Sequence, residues 1–206
     1  MNSFDDKAKS WDDNPERARC TREIADAIAQ EMPQNPAISA MEYGCGTGYL
    51  SFLLRERFSK ITLVDTSEGM LGVVREKIAR SGSAMMEARN ADLEKNPGAL
   101  TKPFRVIYSS LALHHIGDVA EILAAWHALL TVPGLLCVAD LDTESGLFHG
   151  PDFAGHRGFD RGELKKSAEA AGFATVTFKT VCEMQKACSD GATRRFPMFL
   201  MVCRKV

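Results

Sequence analysis

Residues 41–50 read MEYGCGTGYL. Glycines alternate at 44, 46 and 48, behind an acid at Glu42 and ahead of an apolar run. Glycine takes positive φ at little steric cost and lets a ligand approach the backbone with no Cβ in the way. The stretch 38–43 (ISAMEY) reads as a short strand ending at the glycines, and 49–58 as a helix behind them with Thr47 as its N-cap. In open α/β sheets a ligand sits outside the carboxyl end of such a strand.

The same alternation continues on both sides. Residues 14–32 read as a helix: Pro15 suits a first helical position, and Ile24, Ala25, Ile28 and Met32 share one face. MPQNP, 32–36, breaks it. ITLVD, 61–65, is a buried-type strand ending in an acid, and 67–80 is a helix with Glu68 in its dipole-favoured first turn. SAMMEARNAD (83–92) and FRVIYSSLAL (104–113) hold the third and fourth strands. A helix over 118–130 carries Ile122, Leu123, Trp126 and Leu129 on one side. GLLCVADLD, 134–142, is the fifth strand, entered through a Pro-Gly turn. Asp160 caps a helix to Ala171, stopped by Gly172. FATVTFKTV and FPMFLMVCR follow without a helix between them, joined by CSDGATR. The expected fold is α/β: a Rossmann-like doubly wound seven-stranded sheet, mostly parallel, with an antiparallel C-terminal edge pair. One domain spans 1–206, with 1–36 as an N-terminal helical cap over the ligand cleft and 37–206 as the sheet core.

Bulk properties narrow the classes. The chain has 206 residues and a net charge of -2, which fits one α/β domain without the basic face of a nucleic-acid partner. No apolar run is long enough for a membrane span, and the polar start has no signal core, so no membrane partner and a cytoplasmic location are expected. Cysteines at 20, 45, 137, 182, 188 and 203 form no C-x-x-C pair and read as reduced thiols.

Three loop chemistries compete. A Walker phosphate loop needs a Lys after the glycines, and none follows. A dinucleotide fingerprint needs G-x-G-x-x-G, and Tyr49 stands at its third glycine. The remaining pattern, E-x-G-C-G-T-G, is followed in order by Asp65 in VDTSEGML, Asp92 in NADLE, SSLALHHIGD at 109–118 and PGLLCVAD at 133–140. With these motifs the chain resembles the class I S-adenosylmethionine-dependent methyltransferases, of the small single-domain kind that acts on diverse small molecules.

The resemblance implies S-adenosyl-L-methionine as cofactor and a contact set of Glu42, Gly44, Cys45, Gly46, Gly48, Asp65, Thr66, Met70, Asp92, Leu93, Ser110 and Leu111. In it Asp65 meets a ribose diol, Asp92 faces the adenine amine, and Glu42 organises backbone amides or meets the cofactor's ammonium. Simpler roles compete: Asp65 or Ser67 as helix N-cap, Asp92 as a turn residue, and Met70 as helix core.

His114 and His115 follow the fourth strand, where the family passes near the donor methyl, and are the candidate catalytic residues, to orient a substrate or act as base. Polar packing at a helix entry is the simpler role, and an acceptor that keeps its proton until transfer requires no base. An imidazole suits proton transfer near neutral pH. The Gly-, Phe- and His-rich stretch 143–160 is too long for a plain connector. Phe148, His149, Phe153 and His156 there, with Trp11 from the N-terminal segment, are candidate acceptor contacts. No metal site is expected, because adjacent histidines point to different sides of a chain and ligand spacing is absent. SSLA stands where a box for planar exocyclic nitrogens would carry Asn/Asp-Pro-Pro-Tyr/Phe. The expected activity is methyl transfer to a small-molecule acceptor whose identity, like the oligomeric state, the motifs leave open. The rivals are an NAD-dependent oxidoreductase, which lacks its third glycine and a Tyr-x-x-x-Lys relay, and a non-catalytic cofactor-binding module of the same fold.

Overall fold

A computed structural model of the chain describes residues 4–32, 38–188 and 191–206. Five α-helices alternate with strands: α1 Pro15–Glu31, α2 Tyr49–Leu54, α3 Glu68–Ser81, α4 Val119–Leu129 and α5 Arg161–Ala170. The strands are β1 Ser39–Tyr43, β2 Lys60–Asp65, β3 Met86–Asn90, β4 Phe104–Ser110, β5 Leu130–Leu141, β6 Thr175–Ala187 and β7 Thr193–Lys205. They form one sheet in the order β3-β2-β1-β4-β5-β7-β6. The first five run parallel, and β7 inserts antiparallel between β5 and β6. This is the expected doubly wound sheet with its antiparallel edge pair.

Caps and periodicity place the helices. Asn14 accepts from the amides of Glu16 and Arg17, with Pro15 at the first helical position. Asp118 and Asp160 cap α4 and α5 in the same way. Along β5 the side chains alternate between two cores: Leu135, Cys137 and Ala139 join one, and Leu136 and Val138 the other. The first core takes Ile24 and Ile28 of α1, Leu54 of α2 and Leu71 of α3. The second takes Leu123 and Trp126 of α4 and Leu164 of α5. Burial of each such Leu or Ile contributes roughly 1.5–3 kcal/mol. A sheet packed on both faces follows from that period of two.

Several boundaries differ from expectation. Helix α2 ends at Leu54 and tightens into a 3₁₀ turn, Arg55–Arg57. Its N-cap is Gly48, in the left-handed region, not Thr47, whose hydroxyl donates to Asp12 instead. Strand β5 begins at Leu130, four residues before Gly134, because Leu130 pairs with Phe104 and a bulge absorbs the shift before Val106 meets Leu135. The expected boundary at 36/37 and most of the MPQNP break lie outside the described residues, as does part of CSDGATR. No helix among the described residues is long and apolar enough to cross a membrane. All six cysteines are free and buried. From β1 the chain builds outward through β2 and β3, then returns to lay β4 and β5 on the other side, so the crevice between the carboxyl ends of β1 and β4 is the switch point where ligands bind in this architecture.

Candidate functional site

The glycine loop joins β1 to α2, with Gly44, Gly46 and Gly48 at φ 69°, 52° and 77°. A Cβ on Gly44 would stand 2.3 Å from the Cβ of Ala112, so the loop is pressed against the segment after β4. Cys45 donates its amide to Val64 O, and burial pushes its thiol well above the ordinary range, which removes it as a nucleophile. Below the loop, Glu42 is 3% exposed. One carboxylate oxygen accepts from both the amide and the hydroxyl of Ser51, and Tyr108 Oη lies 2.7 Å from that hydroxyl. Glu42 therefore braces the first turn of α2. Burial pushes its pKa up to about 8, against the lowering effect of the Ser51 bonds.

A raised carboxyl pKa has a defined sign. The folded state holds the proton more tightly than the unfolded chain, so stability falls as pH rises from the unfolded value of 4.5 through about 8. Glu42→Gln removes that loss. Its stability relative to the parent should be near zero below about pH 4 and grow to a gain on the order of 5 kcal/mol above about pH 8. Denaturant midpoints across that range test this, and a difference independent of pH would refute it.

Asp65 ends β2 beside the loop. Its Oδ2 accepts from the Gly46 amide at 2.8 Å and its Oδ1 from the Ser67 amide at 2.9 Å. Ser67 is the N-cap of α3, accepting from the Met70 amide, which leaves Asp65 free of capping. Burial raises the Asp65 pKa, and its backbone hydrogen bonds oppose this. Each oxygen keeps a lone pair, so the carboxylate can take a vicinal diol across both. Those acceptors, beside a loop with no phosphate-neutralising cation of its own sequence, fit a nucleoside sulfonium better than a pyrophosphate. Thr66 is exposed at the strand end, whereas Met70 is 1% exposed, in the core. Asp92 is engaged in its own turn: Oδ1 accepts from the amides of Glu94 and Lys95, and Oδ2 pairs with Lys95 Nζ at 2.7 Å. Leu93 is buried, its amide held by Tyr43 Oη.

Residues 5–13, a 3₁₀ helix, lie across this region. Asp5 Oδ1 accepts from the Ser67 hydroxyl at 2.5 Å and the Gly69 amide at 3.0 Å. Asp12 accepts from Thr47 Oγ1 and from Lys77 Nζ, both at 2.6 Å. A Cβ on Gly46 would stand 3.7 Å from Trp11 Nε1, and the Arg17 guanidinium lies 4.0 Å from the Trp11 ring centroid. Sequence reading placed Trp11 there but gave no role to Asp5 or Asp12, whose acidic run is indistinguishable from a solvated face.

After β4 the backbone is strained. Leu111, next to Ser110, sits at φ 54° and donates its amide to Ala139 O. A leucine there costs of order 1–3 kcal/mol. A 3₁₀ turn, Leu113–His115, follows and carries both histidines. His114 is 1% exposed; its Nδ1 donates to Asp140 Oδ1 at 2.6 Å and its amide to Oδ2. In the neutral ring that leaves Nε2 as an acceptor, 3.0 Å from His149 Nε2. His115 completes the group, its ring centroid 4.2 Å from that of His114 and 5.3 Å from that of His149. The expectation that these adjacent histidines diverge is therefore corrected: it holds for an extended chain, and the 3₁₀ turn swings both rings to one side. Phe153 stacks on His149 at 4.0 Å and meets His115 edge-on, and Phe4 covers the far edge of His115. Partial burial, then the neighbouring His114, pushes the pKa of His115 down to about 3 and that of His149 to about 4.

The other two members of the 143–160 set lie to either side. Phe148 is buried against Phe196. His156 donates its Nε2 to Ile116 O and lines a cavity of about 420 Å³ with His115, Phe153 and Gly117. Asp140 was missed in the sequence reading. Its signal was there: a carboxylate inside the apolar run LLCVADL must find partners if the strand is buried.

Residues 40–134 match the family described as Methyltransferase domain. The chain is 33% identical over 190 residues to a malonyl-[acyl-carrier protein] O-methyltransferase of Laribacter hongkongensis (strain HLHK9), covering 84% of this chain and 63% of that protein. It is 30% identical over 191 residues to the protein of the same name from Dechloromonas aromatica (strain RCB), covering 88% and 68%. The chain thus spans about two thirds of the length of these relatives. A solved structure of an S-adenosylmethionine-dependent methyltransferase from Aquifex aeolicus superposes with a TM-score of 0.67 at 16% identity, covering 98% of both chains, and shares the fold. The glycine loop, the sheet order and these relatives agree, and the chain belongs to the class I S-adenosylmethionine-dependent methyltransferase family.

Proposed function

We propose that the chain transfers a methyl group from S-adenosylmethionine to a small acceptor held against His115, His149 and Phe153. The observation that carries this is the adjacency of two sites at neighbouring strand ends: the Asp65–glycine-loop acceptors at β1 and β2, and the imidazole–aromatic cluster at β4 and β5. When bound, the cofactor supplies a methyl group activated on a sulfonium. Asp65 takes the ribose hydroxyls, the glycine loop passes close to the amino-acid moiety, and Glu42 holds the loop's helix from below. Thr66, Met70, Asp92, Leu93, Ser110 and Leu111 border the adenosyl side, and the described N-terminal residues 4–32 form a cap over it, with Trp11 at the boundary between donor and acceptor. The chain's own contribution is alignment, which can supply roughly 7–11 kcal/mol of the barrier.

Burial and crowding in the cluster lower the basicity of both His115 and His149, which makes them poor general bases. They suit an acceptor that is already anionic, such as a carboxylate, which needs no proton removed. The relatives named for methylating a malonyl carrier point the same way, and a malonyl thioester is the first acceptor to assay. In a labelled-methyl assay, His149→Ala and Phe153→Ala should each lower kcat/KM at least about tenfold while cofactor affinity stays at the parent value. Unchanged kcat/KM in both would place the acceptor elsewhere.

A further inference from the structure

Three imidazoles meet where the 3₁₀ turn after β4 faces the 143–160 segment. One ring nitrogen from each of His114, His115 and His149 lies within 4.8 Å of the other two. His114 Nε2 and His149 Nε2 are already 3.0 Å apart. Two nitrogens bound at about 2.0–2.1 Å to one tetrahedral ion stand about 3.3 Å apart, so this pair needs only a small adjustment to share a metal. The second nitrogen of His114 is not idle: it donates to Asp140, which also accepts from the His114 and Leu141 amides and is fully buried. A carboxylate behind a ligating imidazole fixes its tautomer and orientation. A donor set of imidazoles alone excludes Mg²⁺ and Ca²⁺, which want oxygen, and suits a first-row transition ion.

We infer that His114, His115 and His149 form a three-imidazole site for a divalent transition-metal ion, Zn²⁺ by its ligand chemistry, oriented through Asp140. Three protein ligands leave a fourth position open. His115 belongs to both the cluster and the cavity of about 420 Å³ beside it, so that position adjoins the space for an acceptor. An anionic oxygen of the acceptor fits there as the fourth ligand, held in line for transfer. This last role rests on the methyl-transfer reading above; the metal site itself does not. The competing account is a hydrogen-bonded chain, Asp140–His114–His149, with no ion.

The test is a titration of the full chain, free of affinity tag and stripped of metal, with Zn²⁺ and with Co²⁺ as a spectroscopic probe. One equivalent of Co²⁺ should bind with the intense visible absorption of a four-coordinate site, and Zn²⁺ should displace it. His115→Ala and His149→Ala should each weaken Zn²⁺ binding by about 100-fold or more, and Asp140→Asn by about 10–100-fold. Absence of Zn²⁺ binding, or unchanged binding in the His115→Ala/His149→Ala double variant, would overturn the inference. Melting curves on the same samples show whether each variant is folded, and S-adenosylmethionine binding is measured beside them. A chain that binds the cofactor but no metal defeats the metal site and leaves the methyl-transfer reading intact. A chain that binds Zn²⁺ through these histidines but not the cofactor supports the metal site and defeats the other.

Discussion

Asp65→Ala is expected to weaken S-adenosylmethionine binding by at least about a hundredfold, equivalent to about 2.7 kcal/mol. Two losses add. The ribose hydroxyls lose charge-assisted partners, each hydrogen bond to a charged group being worth about 1.5–3 kcal/mol. The amides of Gly46 and Ser67, which Asp65 now holds at 2.8 and 2.9 Å, lose their acceptor, so the loop and the start of α3 loosen together. Asp65→Asn keeps one acceptor oxygen and should fall between, with a loss of about tenfold. Calorimetric titration of both variants, with melting curves to confirm folding, measures this. An Asp65→Ala protein that binds the cofactor within about threefold of the parent would remove Asp65 from the site.

Gly44→Ala should be severely damaging for a single added methyl group. Its Cβ would stand 2.3 Å from the Cβ of Ala112, and the residue needs a φ of 69°. Neither Cβ can swing away, since both are fixed to backbone. Overpacking and left-handed strain together cost about 3–5 kcal/mol, or on the order of 10 °C in Tm for a chain of this size. Two controls separate the causes. Gly46→Ala has positive φ but nothing closer than Trp11 Nε1 at 3.7 Å, so it should lose only the strain, about 1–2 kcal/mol. Gly72, inside α3, would meet nothing within 4 Å, and Gly72→Ala should gain about 1 kcal/mol. Thermal melts that rank these three differently would mean the loop is not pressed on the Ala112 segment as described.

Local pattern carried most of the architecture. The cap at Asp160 was readable, and Ser67 stood as one of two candidates for α3, because a short polar side chain before an apolar period has one efficient use. Thr47 looked like another, and was not. Gly48 already supplied the turn into α2, and Asp12, distant in sequence, offered the Thr47 hydroxyl a better partner. The start of β5 was missed for a related reason. Pro133 and Gly134 read as punctuation, but pairing of Leu130 with Phe104 extends the strand through them.

The sequence by itself determined the sheet, the order of its strands' faces, the glycine loop and the acid at the end of β2. These depend on periods of two and 3.6 residues, on positive φ, and on spacing along one chain segment, all local quantities. Only the tertiary structure decided what stands opposite them. Asp5 and Asp12 meet α3 and the loop across more than thirty residues of sequence. His149 reaches His114 because the 143–160 segment folds back, with the His156 amide on His114 O and Phe159 bridging to Asp142. A histidine's identity gives its chemistry, but the direction of its ring is set by backbone dihedrals and by whatever returns to pack against it. Those are long-range contacts, and no local pattern encodes them.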